Sequence, residues 1–115
     1  MPTAVEIRLN RADQMLHVAF EDGTSVALAA EYLRVESPSA EVQGHSPSQK
    51  VTVDRKRNVA ITAIEPVGNY AVRLTFDDRH DTGIYTWDYF YELGAEQSRR
   101  WPAYLAALAA KGLSR

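Results

Sequence analysis

Histidine, serine and carboxylate side chains are the groups in this chain that could do chemistry, and their spacing limits what that chemistry could be. There are three histidines, His17, His45 and His80, and no cysteine. No two of them stand at the i, i+4 spacing that puts a pair of imidazoles on one helix face for zinc. None heads an HxD, the sequence mark of a non-haem iron triad. The densest charged group is Asp77, Asp78, His80 and Asp81. A histidine among carboxylates suits a general base or a weak cation site, to which His45 could add a second imidazole from a long loop. The plainer account of the same residues is a solvated turn between two strands.

Ser37, Ser39, Ser46 and Ser48 offer hydroxyls on either side of His45. A nucleophilic serine of the elbow type needs GxSxG, which Gly44-His45-Ser46-Pro47-Ser48 does not match, and its one glycine does not make a phosphate-cradling loop. Arg55, Lys56 and Arg57 could touch a phosphate or an acidic partner, or merely keep a hairpin tip in water. Tyr85, Trp87, Tyr89, Phe90 and Tyr91 are too many aromatics for one helix face. Trp87 or Tyr89 is therefore expected to be partly exposed and, with Trp101 and Tyr104, to offer a contact surface.

The elements that must position these groups read as strands first and helices last. Val5, Ile7 and Leu9, then Leu16, Val18 and Phe20, alternate with polar or small residues, so two strands are expected, with a third at Ser25–Leu28 after the Asp22-Gly23 turn. Ala29–Arg34 has the spacing of one helical turn. Glu36–Lys50, with its Ser-Pro-Ser triplets, reads as a long loop without regular structure. A second β block is expected at Val51–Val53, Val59–Glu65, Tyr70–Phe76 and Ile84-Tyr85. Thr86 would then cap a helix from Trp87 to Leu93 that Gly94 ends. A last amphipathic helix, bearing Trp101, Tyr104, Leu105, Leu108 and Leu113, would start near Ser98–Trp101 so that Pro102 falls in its first turn. The fold class is α+β: a mostly antiparallel sheet with short helices and a C-terminal amphipathic helix.

The 115 residues suit a single domain, 1–115. With 13 Lys+Arg against 15 Asp+Glu, the net charge of −2 argues against nucleic acid as a partner. Such binding would require Arg55, Lys56, Arg57, Arg99 and Arg100 on one face. No apolar run approaches the roughly 20 residues of a membrane span, and residues 1–6 lack a signal-peptide pattern. The expected location is the cytoplasm.

Two passages, YLRVESPSAEVQGH (Tyr32 to His45) and AIEPVGNYAVRLTFDDRHDTGIYTWDYFYELG (Ala63 to Gly94), resemble the small domain at the N-terminus of gamma-butyrobetaine and trimethyllysine hydroxylases. That domain also occurs as free-standing bacterial proteins of unknown function, and a related module is appended to P-loop scaffold proteins of iron–sulfur cluster assembly. The resemblance runs from the Val5 strand to Gly94. It implies a zinc site built from a Cys-x-Cys-x-x-Cys run and a later His, with oxygenase chemistry in a separate C-terminal domain. The Cys run falls on Ser37, Ser39 and Val42 in this chain, and the His on His80.

One imidazole does not replace three thiolates, so no metal and no other cofactor is expected at the degenerate positions Ser37, Ser39, Val42 and His80. Convergence of Ser37, Ser39 and His80 would let hydrogen bonds hold the loop in place of a metal. The expectation is a companion domain without its zinc and without its oxygenase: a non-catalytic module that binds a protein partner, linked to iron, iron–sulfur or oxygenase systems. Its contact surface would use His45, Trp87, Tyr89, Arg55, Lys56 and Arg57. The competing expectation is a small-ligand or metal-dependent site around Asp77, Asp78, His80 and His45.

Overall fold

The structure is a computed structural model that describes residues 2–115, including every side chain of these except that of Pro47. Strands β1 (Ala4–Asn10), β2 (Met15–Phe20) and β3 (Ser25–Ala29) form one antiparallel sheet in that order. The period-two pattern of β2 sends Leu16, Val18 and Phe20 into the core. β1 keeps its pattern only in part. A register shift between Ala4 and Glu6 turns Val5 outward, 66% exposed, so the expected inward Val5 is not found.

After the helix α1 (Ala30–Val35), strands β4 (Ile61–Val67), β5 (Ala71–Phe76) and β6 (Gly83–Thr86) make a second antiparallel sheet. Gln14 ties the two together: its carbonyl accepts from Ala30 N–H and its Oε1 from Ile61 N–H, each at 2.9 Å. Between the sheets lies one apolar core, with Leu16, Leu28, Leu33, Ile61, Leu74 and Phe76 all within 1% of complete burial. The buried phenols keep their hydroxyls bonded, Tyr32 to Leu93 O at 2.8 Å and Tyr85 to Leu33 O at 2.6 Å.

The C-terminal part differs from the sequence expectation. A single 24-residue helix, α3 (Trp87–Ala110), replaces the two that were expected. Thr86 caps it as anticipated, accepting from Tyr89 N–H at 3.1 Å. Gly94, however, lies within the helix, and the reason is packing: a Cβ there would sit 2.3 Å from Val26 Cγ1, so glycine lets α3 lie against β3. Pro102 is also interior. It stands on the exposed side, where the Ser98 carbonyl it leaves without an N–H partner can turn to water. Tyr104 and Leu108 are buried with Val35, whereas Leu105 and Leu113 of the anticipated stripe are exposed.

Residues 36–60 hold the other corrections. Glu36–Lys50 is not without regular structure: Ser39 caps a one-turn helix, α2 (Ala40–Gln43), and Pro47–Gln49 form a 3-10 turn. Val51–Val53 is not a strand. Its polar groups bond to helices instead, Val51 N–H to Val42 O at 2.7 Å and Val53 O to Tyr104 OH at 2.6 Å. Arg55–Arg57 is therefore a bend in an extended connection and no hairpin tip. No described helix is long and apolar enough to cross a membrane.

Candidate functional site

Ser37 and Ser39 lie just after α1, and His80 and Thr82 just before β6. Each pair is spaced i, i+2, which on extended chain places both side chains on one side. The two segments meet in register: Ser37 Oγ is 2.8 Å from His80 Nε2, and Ser39 Oγ is 2.7 Å from Thr82 Oγ1. Thr82 donates in turn to Glu41 Oε2 at 2.6 Å, and that oxygen lies 3.2 Å from His80 Nδ1. Backbone groups complete the set. Ser39 N–H reaches Ser37 Oγ at 3.3 Å, and Gln43 Nε2 donates to Ser37 O at 2.8 Å. Gly83 is required by this closeness, because a Cβ there would stand 2.6 Å from Ser37 Oγ.

Burial, with the Arg34 cation beside it, lowers the His80 pKa below its ordinary 6.5, and nearby Glu41, Asp78 and Asp81 only partly oppose this. The imidazole is thus neutral at pH 7. An ionised carboxylate beside Nδ1 favours the proton on that nitrogen, which leaves Nε2 to accept the Ser37 hydroxyl. The connectivity is that of a serine, histidine and carboxylate relay. Its geometry is not that of a nucleophile, since Ser37 is completely buried and hemmed in by Gly83.

The expected group of Asp77, Asp78, His80 and His45 divides in the structure. Asp78 Oδ1 accepts from His80 N–H at 3.1 Å, and its Oδ2 takes both Arg34 Nε at 2.8 Å and Lys56 Nζ at 2.7 Å. Burial would raise the Asp78 pKa, but the bonds from Lys56, Arg34 and His80 N–H outweigh it and hold the carboxyl at about 2. Asp77 instead accepts from Ala60 N–H at 3.1 Å, at the start of β4. His45 is exposed, and its N–H donates to Gln49 Oε1 within its own loop. Among the described residues no three His, Asp or Glu side chains converge as metal ligands.

Arg34, Asp78 and His80 line a cleft of about 760 Å³ between the α1–α2 region and residues 51–56. Arg34 and Glu41 were missed from sequence. Both sit at ordinary helix positions; the resemblance pointed to Ser37, Ser39 and His80, and the matched i, i+2 spacing of 37/39 and 80/82 is the signal that could have added Thr82.

The residues expected to form one contact surface separate. Tyr89 is half-buried, and its hydroxyl donates to Glu36 O. Trp87, also half-buried, donates from Nε1 to Asn69 O at 2.9 Å and lines a second groove with Val5, Ile7, Ile64 and Pro66. Several of the cations are paired: Arg100 with Glu36, Glu92 and Glu96, Arg99 with Glu96, Lys56 with Asp78 and Arg55 with Asp54.

A family model described as gamma-butyrobetaine hydroxylase-like, N-terminal, matches residues 7–91. Two solution NMR structures of proteins cover all of this chain, one at 48% identity and TM-score 0.87 over 86% of its own length, the other at 46% and 0.84 over 90%. A crystal structure of a protein of unknown function from the DUF971 family of Acidithiobacillus ferrooxidans matches 82% of this chain and 94% of its own, at 38% identity and TM-score 0.68. No curated protein matches.

Proposed function

This chain belongs to the gamma-butyrobetaine hydroxylase-like N-terminal family, and from that premise we propose that it is a non-catalytic module that binds a partner protein. The observation that carries the reading is the Trp87 groove. It runs between β1 and β4, each the edge strand of its sheet, with Val5, Ile7, Ile64 and Pro66 as apolar walls. An edge strand is hydrogen-bonded on one side only, so an extended apolar segment of a partner can add main-chain bonds while its side chains enter the groove. The link to iron, iron–sulfur or oxygenase systems rests on the family resemblance.

Two features of the site favour a binding role over chemistry at His80. Ser37 is closed to substrate, and the residues at the family's zinc positions do not fit zinc. Ser37 and Ser39 are neutral hydroxyls already bonded to His80 and Thr82, and Val42 is an alkyl group with no donor atom. Pull-down from the native host with wild type, Trp87→Ala and Val5→Lys tests the reading. A partner enriched by the wild type and lost with both variants supports it. Enrichment that neither variant alters, or no enrichment at all, contradicts it. Val5 is exposed, so Val5→Lys leaves the fold intact and separates loss of binding from loss of structure.

A further inference from the structure

The cleft lined by Arg34, Glu41, Asp78 and His80 borders a guanidinium that is not fully used. Arg34 bonds Asp78 through Nε, while its Nη1 is buried and meets no acceptor among the described residues. Guanidinium N–H groups are strong donors, and one held away from water without an acceptor is costly. Arg55, Lys56 and Arg79 line the same cleft, so four cations face three carboxylates, Glu41, Asp54 and Asp78, in a chain whose net charge is −2.

Pairing leaves the surplus in place. Asp78 is shared by Arg34 and Lys56, Asp54 is taken by Arg55, and Arg79 has no carboxylate within ion-pair distance among the described residues. The backbone adds an independent sign. Arg55 and Arg79 have φ of 56° and 73°, a left-handed conformation that glycine adopts freely and a long side chain seldom does. Of the three non-glycine residues with this conformation among the described residues, Gln14, Arg55 and Arg79, both arginines stand on this one cleft.

We propose that the cleft is an anion-binding site that takes a small oxyanion, the phosphate or carboxylate group of a ligand, on Arg34, Arg55, Lys56 and Arg79. The planar fork of arginine matches the two oxygens of either group. Charge–charge attraction makes the binding salt-sensitive.

Titration of the full chain with inorganic phosphate, and separately with malonate, followed by NMR at low and high salt, tests the site. Saturable shifts at Arg34, Arg79 and His80 that weaken with salt are expected. Saturation by phosphate alone identifies a phosphate ligand, saturation by malonate a carboxylate, and either supports the site. The double variant Arg55→Gln, Arg79→Gln, both exposed positions, should bind at least about tenfold more weakly with an unchanged melting temperature. Shifts that rise linearly without saturation for both anions, or a double variant that binds as tightly as wild type, would overturn the proposal. The cleft shares no lining residue with the Trp87 groove, so failure here leaves the partner-binding reading untouched.

Discussion

His80 stands between two neighbourhoods built from similar polar residues. Toward Ser37 the contacts close on themselves: Ser37, Ser39 and Thr82 each meet a partner between 2.6 and 3.3 Å and the serines are buried, while the exposed Glu41 reaches from this side to the rim of the cleft. Toward Arg34 the cleft is open, carries more cations than carboxylates, and leaves a buried donor without an acceptor. Spent hydrogen bonds fix architecture, whereas an exposed cation without a carboxylate partner, as Arg79 is among the described residues, leaves free energy for a ligand to collect. On that basis the closed side is the brace of the fold and the open side is the binding side.

The strongest way to break this comparison is His80→Ala, which removes a buried ring and leaves Ser37 without its partner. Chemical denaturation should show a loss of about 3 kcal/mol; a loss near zero would mean that the closed side braces nothing. Gly83→Ala pushes a methyl group against Ser37 Oγ and should cost roughly 2 kcal/mol by the same measurement.

Acid should act on the shared wall. Asp78 titrates at about 2 in the folded protein against an ordinary 3.8, so its contribution is present above 3.8 and lost as the pH falls toward 2. That loss is of the order of 2 kcal/mol and should vanish in Asp78→Asn. His80, also lowered, contributes stability above its ordinary 6.5 that is lost as the pH drops below it, a slope His80→Ala should lack. The smallest effect belongs to the open side, where Arg79→Gln should change stability by less than about 0.5 kcal/mol. A large effect there would make Arg79 structural and erase the contrast.

What the sequence shows and hides follows from which forces act locally. The alternation in β2 and β5 and the Thr86 cap are set by neighbouring residues, and each was legible. Gly94 and Pro102 were misread as helix boundaries because both are so in isolation. Only the approach of Val26 and the exposure of the Pro102 side explain why the helix passes through them. Val51–Val53 looked like a strand, yet its hydrogen-bond partners are not a neighbouring strand but Val42 of a one-turn helix and Tyr104 of the C-terminal helix, the latter 51 residues away. At the site, the resemblance pointed to Ser37, Ser39 and His80 together, and the structure brings them together. Arg34 has no such signal: an arginine in a short helix is ordinary until the fold places Asp78 and the cleft beside it.

Whether hydrogen bonds brace the positions where the family resemblance implies a metal can be read at the ring of His80. Long-range proton–nitrogen NMR correlation reads which nitrogen carries the proton and whether an added metal displaces it. A neutral imidazole at pH 7 protonated on Nδ1, with Nε2 accepting from Ser37, is expected, with no change on adding one equivalent of zinc or excess chelator. A stoichiometric zinc-induced shift of the Nε2 resonance, reversed by chelator, would contradict it.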